Sequence, residues 1–168
     1  MKMLHRLPGL LMLMAAPLAQ AGGGMPAPAE LACRFEATAD AAGHVMLKFT
    51  LRNTGPHELH LLRWGSPFEG AWFAPFVRAS TAQGELPFQG ALRKRGDPSA
   101  QDYLRLAPGQ ALSAELPLAD AYALPASGPV TLRAAWRWHD VMAGGTPPRP
   151  RDRHQGLDQA CGELTLAR

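Results

Sequence analysis

The sequence holds only two cysteines, no apolar run long enough to cross a bilayer, no stretch with a sustained helical period, and little net charge. Each shortage closes a class of function. The one apolar run near the start, Leu7 to Ala16, follows the basic Lys2, His5 and Arg6 and precedes Ala19-Gln20-Ala21. It is too short to span a membrane and reads as a secretory signal peptide cleaved after Ala21. No cysteine follows that site, which argues against a bacterial lipid anchor, and no membrane insertion is expected after cleavage. The leader carries two basic residues and no acid, so its loss lowers the formal net charge from +3 to +1. That leaves little electrostatic drive towards nucleic acid or anionic membranes, with "RKR" at 93–95 the lone basic run.

Catalytic signatures are equally scarce. Ser66, Ser80, Ser99, Ser113 and Ser127 lie in no nucleophile-elbow context, and no glycine-rich phosphate loop follows a strand. No catalytic residue, cofactor or metal is expected, and the chain does not read as an enzyme. In an exported protein the even pair Cys33 and Cys161 reads as a disulfide. A bridge closing so long a loop stabilises by about 4–5 kcal/mol on the chain-entropy model. It would also set the first and last strands side by side. Two free buried thiols are the alternative.

What is present is a rhythm of turns. After a Gly/Pro/Ala lead-in over 22–30, turn signals recur about every 8–12 residues between short alternating runs, the spacing of an all-β sandwich or barrel. "HVMLKFTLRN" (44–53) sets Val45, Leu47, Phe49 and Leu51 on one face. "HELHLLRW" (57–64), "WFAPFVRAS" (72–80) with its interrupting Pro75, and "LPFQG" (86–90) read as further strands. "YLRLAPGQALSAELPL" (103–118) is strand, turn, strand; "PVTLRAAWRW" (129–138) alternates cleanly; "LDQACGELTLA" (157–167) is the last strand. "PSAQD" (98–102) makes at most a short helical turn, and 142–156 is a long polar loop. Tyr122 sits in a crossover before a strong strand, where Ig-like domains carry a tyrosine corner bonded to the crossover backbone. The prediction is an Ig-like Greek-key sandwich of about seven strands over 31–168, with a closed barrel as the alternative.

His57-Glu58-Leu59-His60 looks like a zinc-peptidase motif one residue short. That motif needs its histidines four apart on a helix. Here they are three apart after Gly55-Pro56, and on a strand an odd spacing sends them to opposite faces. His44, His139 and His154 are scattered, as are Met46 and Met142. A surface or strand-edge role is expected for these histidines.

The string "LRWGSPFEG" (62–70), with "FVRASTAQGELPFQGALRKRGDPSAQDYLRLAPGQALSAELPLADAYAL" (76–124), resembles the N-terminal β-domain of secreted zinc metalloendopeptidases of the deuterolysin / peptidyl-lysine type. The matching positions are Trp64, Pro67, Glu69, Gly70, Phe76, Val77, Gly84, Gly90, Lys94, Arg95, Gly96, Pro98, Asp102, Tyr103, Leu106, Pro108, Gly109 and Tyr122. A vaguer similarity is to the intracellular proteinase inhibitors of bacilli. Those metallopeptidases continue into a helical domain bearing the zinc ligands, which this sequence lacks, so nothing catalytic carries over. What the resemblance implies is the role of the β-domain: a prosegment that accompanies a secreted peptidase and holds it inactive or helps it fold.

The residues also have a physical reading of their own. Pro67 fixes φ and Gly70 permits a positive φ, so 66–70 is a rigid turn. Glu69 is placed to pair with Arg95 and pin two loops, while Trp64 and Phe68 bury area beneath the turn. On the functional reading, Phe68, Glu69 and Trp72 form a rigid partner-binding surface. The expectation is a periplasmic or secreted domain, monomeric when free, whose partner is a secreted zinc endopeptidase. A generic envelope interaction module is the alternative, and copper or zinc carriage is a third class for which no bound metal is expected.

Overall fold

Alternation on two long strands decides the architecture. The computed structural model describes residues 29–42 and 44–167. In it β2 (Val45–Asn53) buries Leu47, Phe49 and Leu51 and turns Lys48, Thr50 and Arg52 outward. β8 (Val130–Trp138) buries Val130, Leu132, Ala134, Trp136 and Trp138 in the same way. A pleated strand repeats every second residue, so each has one apolar face, and the two faces bury each other.

β1 (Leu31–Ala39) and β7 (Ala111–Pro117) flank β2, both antiparallel. β10 (Leu157–Leu166) and β4 (Val77–Thr81) flank β8, and β5 (Gly84–Glu85) lies outside β4. Across the gap, the Phe49 ring meets Phe76 edge-on at 5.8 Å and Trp136 at 6.3 Å. Three strands face four, in the order of an Ig-like sandwich.

The disulfide Cys33–Cys161 ties β1 to β10 with Cα atoms 4.7 Å apart and a sequence separation of 128. The first and last strands are therefore neighbours, but across the open side of the sandwich and not in one ladder. Cys161 faces inward in phase with Gln159, and the β-bulge between Ala160 and Gly162 then shifts the alternation so that Leu164 and Leu166 turn to the core.

A third sheet was not legible beforehand. β3 (Leu59–Leu62) pairs with β6 (Tyr103–Leu106) on one side and β9 (Val141–Ala143) on the other. These strands continue β2, lead into β7 and continue β8, so three chain segments bend at the same end of the sandwich. Asn53 fixes two of those bends. Its buried amide donates to the carbonyls of His57 at 2.7 Å and Leu106 at 3.0 Å, and its side-chain oxygen accepts from Gly55 N–H at 3.0 Å. Its backbone bonds Gln110 and Gly109 in the second bend.

Several predicted boundaries move. The run 57–64 narrows to β3, because Gly55-Pro56 hold 55–57 in a bend and Arg63–Ser66 is a turn. The run 72–80 becomes strand only at Val77, beyond Pro75. Residues 86–90 are irregular: Leu86 N–H still reaches Ala79, but Pro87 has no N–H to continue the ladder. Tyr122 does bond backbone, but to the Val77 carbonyl on β4 and not within its own crossover, so it fastens the crossover to the sheet it is entering. The signal peptide and most of the lead-in lie outside the described residues. Ala29 and Glu30 belong to the fold, since Ala29 packs on the core and the Glu30 carbonyl accepts from Thr54 N–H at 3.0 Å.

Replacing Asn53 by Ala leaves two carbonyls and an N–H without partners and is expected to cost about 2–3 kcal/mol. Asn53→Asp is expected to cost more, because a carboxylate would face two carbonyl oxygens. Urea unfolding of the two variants checks the order.

Candidate functional site

His57 and His60 do not form a site. His57 is exposed in the bend before β3, whereas His60 lies on the strand with its Nε2 3.2 Å from Glu58 Oε1. Glu58 is itself held by Arg105 Nε at 2.8 Å. Burial lowers the His60 pKa; Arg105 lowers it further and Glu58 opposes the shift. Among the described residues no three His, Cys, Asp or Glu side chains come together as a metal site.

The second half of the stretch is built as its residues dictate. Ser66 is extended (φ −113°, ψ 164°), Pro67–Glu69 form one 3₁₀ turn, and Gly70 closes it at φ 82°, ψ 8°, with Gly70 N–H bonding Pro67 carbonyl at 3.2 Å. Buried Ser66 donates its hydroxyl to the Arg63 carbonyl at 2.6 Å. The two aromatics assigned to a binding tip are placed otherwise. Phe68 is half-buried, with its ring 6.2 Å from Trp138 and 6.5 Å from Trp136. Trp72 is buried, stacks on Phe76 at 4.4 Å and donates its indole N–H to Pro117 carbonyl at 2.8 Å. Trp72 cannot meet a partner while the fold is intact, because its largest surface is already covered by the core.

Glu69 has the role its chemistry suggested. Its side chain is only 6% exposed, accepts Gly65 N–H at 3.0 Å, and forms ion pairs with Arg95 and, at 3.8 Å, Arg93. The Arg95 guanidinium lies over both the Trp64 ring (5.3 Å) and the Phe73 ring (5.4 Å), and Arg93 lies over Phe73 at 5.0 Å. Trp64 donates its indole N–H to Asp102 Oδ1 at 3.1 Å. Asp102 caps its own 3₁₀ turn by accepting Ser99 N–H and hydroxyl at 2.8 Å each. The Ser99 N–H, helped by the Ser99 hydroxyl, Trp64 and Arg63, holds the Asp102 carboxyl below its ordinary range against the opposing effect of burial. Trp64, Pro67, Glu69, Gly70, Arg95 and Asp102 thus form one connected scaffold. Tyr122 and the Cys33–Cys161 bridge fasten other parts of the fold, and Lys94 is exposed.

That scaffold carries a loop. At its start, Gly90 has no room for a side chain, since a Cβ there would lie 2.6 Å from the Trp72 carbonyl. At its end Arg95 is clamped and Pro98 is buried. Between these anchors Ala91, Leu92, Arg93 and Lys94 are exposed, Leu92 to 91%. No backbone–backbone hydrogen bond involves 90–98 among the described residues. From the far side, Arg151 donates to the Gly96 carbonyl and pairs with Asp97 at 3.2 Å.

A second buried carboxylate gave no sequence signal. Asp140 is fully buried and receives Arg149 Nε at 2.7 and 3.0 Å, Gln155 N–H at 2.9 Å and the Tyr103 hydroxyl at 2.9 Å. Burial pushes the Asp140 carboxyl up, but the bonds from Arg149, Gln155 and Tyr103 together outweigh it and hold the group below its ordinary value. The Tyr103 hydroxyl is pushed up to about 12 by burial and by the bond to Asp140. The polar loop 142–156 is organised around this acid, with Arg149 also bonding the Val141 carbonyl at 2.7 Å.

Two predictions follow from these clamps. Limited trypsin digestion is expected to cut after Arg93 and Lys94 and to spare Arg95; in Glu69→Gln, mass spectrometry of the fragments is expected to show cleavage after Arg95 as well. Asp140→Asn leaves Arg149 without its counter-charge and is expected to cost about 3 kcal/mol. Its lowered folded pKa means that the wild-type contribution is complete above about pH 4 and is lost as pH falls further. For Tyr103 the folded pKa is raised, so its contribution is complete below about pH 10 and is lost as pH rises towards 12. Urea unfolding across pH is expected to show a smaller acid-side loss in Asp140→Asn and a smaller alkaline loss in Tyr103→Phe than in the wild type.

No protein-family model matches the chain. An extracellular protease of Aeromonas hydrophila is 31% identical over 120 residues, which are 71% of this chain and 32% of that protein. The chain therefore spans about a third of the length of the curated relative it matches. Among solved structures, the ApaA protein of Bordetella pertussis aligns with a TM-score of 0.39 and 13% identity over 83% of this chain and 91% of that one. A second aligns with a TM-score of 0.37 and 10% identity over 84% of this chain and 86% of the other. Neither alignment bears on function.

Proposed function

We propose that this chain is an exported, non-catalytic domain that binds a secreted metallopeptidase, as a prosegment-like inhibitor or as a folding helper. The observation that carries the reading is the match of most of the chain to one third of an extracellular protease. Support comes also from the ordered deuterolysin-like residues between Trp64 and Tyr122. A subset of them brace one region: Trp64, Glu69, Arg95 and Asp102 connect directly and support an exposed loop. A surface held rigid before contact loses little conformational entropy on docking, which favours a binding role. The formed Cys33–Cys161 bridge fits an oxidising compartment, periplasmic or extracellular. No metal or cofactor takes part in this reading.

The test is to titrate the purified, disulfide-bonded protein against the active extracellular protease of Aeromonas hydrophila, and to refold that protease with and without it. Saturable inhibition or an increased yield of active enzyme is expected. If neither activity nor refolding yield changes at micromolar concentrations, the reading fails.

A further inference from the structure

We propose that residues 91–94, and not the Phe68 and Trp72 face, are the element that enters the peptidase, lying extended in its substrate cleft with Leu92 as the apolar anchor. The inference rests on the protease-partner reading and specifies where the contact is made.

Four observations converge on this loop. First, Leu92 is 91% exposed and is the one large apolar side chain so exposed among the described residues. Nothing within the fold uses it, and covering it with a partner is favourable in proportion to the apolar area removed from water. Second, the backbone of 91–94 makes no backbone–backbone hydrogen bond among the described residues, so its N–H and C=O groups are free to pair with a cleft that binds peptides as added strands. Third, both ends are held. Gly90 is fitted against the Trp72 carbonyl, and Arg95 is clamped between Glu69, Trp64 and Phe73. The segment therefore pays little ordering entropy when it docks. Fourth, the aromatics of the neighbouring turn are committed elsewhere, Trp72 to Phe76 and Pro117, and Phe68 to Trp136 and Trp138.

Charge narrows the partner. Arg93 and Lys94 stand on the exposed side, with Glu69 and Asp97 the carboxylates beside them. Glu69 is engaged by Arg95 and Asp97 by Arg151, and Arg93 reaches Glu69 only at 3.8 Å. The loop therefore offers an apolar side chain followed by two cations. It fits a cleft with an apolar subsite and carboxylates beside it, where rim charges of opposite sign speed encounter and fix register.

The test uses the active extracellular protease of Aeromonas hydrophila and inhibition constants at two salt concentrations. Leu92→Asp and Lys94→Glu alter only exposed side chains, so their thermal unfolding is expected to match the wild type. Leu92→Asp is expected to weaken inhibition about thirtyfold. Lys94→Glu is expected to weaken it and to flatten its salt dependence. Leu92→Met and the control Thr165→Asp on β10 should inhibit as the wild type does. If the wild type inhibits and the loop variants inhibit equally well, the loop is not the contact and this inference falls while the protease-partner reading stands. If the wild type raises the refolding yield without inhibiting the active enzyme, this inference falls while the protease-partner reading stands; if it does neither, both fall together.

Discussion

Buried carboxylates must find cations, and in this protein that requirement organises the two long loops outside the sandwich. Glu69 and Asp140 are almost wholly withdrawn from water, and each is satisfied by an arginine carried on a long irregular loop. Glu69 takes Arg95 from the segment after β5, and Asp140 takes Arg149 from the segment after β9. An unpaired charge at either place would cost several kcal/mol, so the loops are fixed although they have little regular structure. Arg151 then bonds the first loop from the second, through the Gly96 carbonyl and Asp97. Two loops that composition alone would describe as solvated coil become one braced surface.

The bracing separates support from display. Trp64, Pro67, Asp102 and Tyr103 point into the structure or to each other while Gly70 closes the turn, and they explain why the string from Trp64 to Gly70 is so particular. What they hold outward is a short stretch with different chemistry: one exposed leucine, two exposed basic residues and an unpaired backbone. A rigid frame beneath a free segment suits recognition, because the cost of ordering the segment has been met in folding.

Much of this was readable from the residues. Strict alternation in β2 and β8 announced both the sandwich and its buried faces, because a period of two admits no other assignment of sides. The pairing of Glu69 with Arg95 followed from placing a lone acid near a lone basic run, and the disulfide from an even pair in an exported chain. The third sheet was hidden because β3 is apolar on both faces, so its pattern gives no side. Trp72 was misplaced for a related reason. An aromatic in a stretch without periodicity carries no direction, and only the neighbouring Phe76 and Pro117 show that it turns inward.

The sequence by itself determined the strand class, the rigid turn at Pro67–Gly70 and the covalent link between the ends, since these depend on local dihedral limits, a two-residue repeat and thiol chemistry. Tertiary structure alone decided that Asp140 is buried, that Arg149 reaches it and which side chains are left in water. Asp140 and Arg149 belong to different segments, and their pairing exists only because the bend after β8 brings loop 142–156 back over the sheet end. Exposure is likewise a property of the assembled surface, and for that reason Leu92, an unremarkable residue in the chain, becomes its most accessible apolar group.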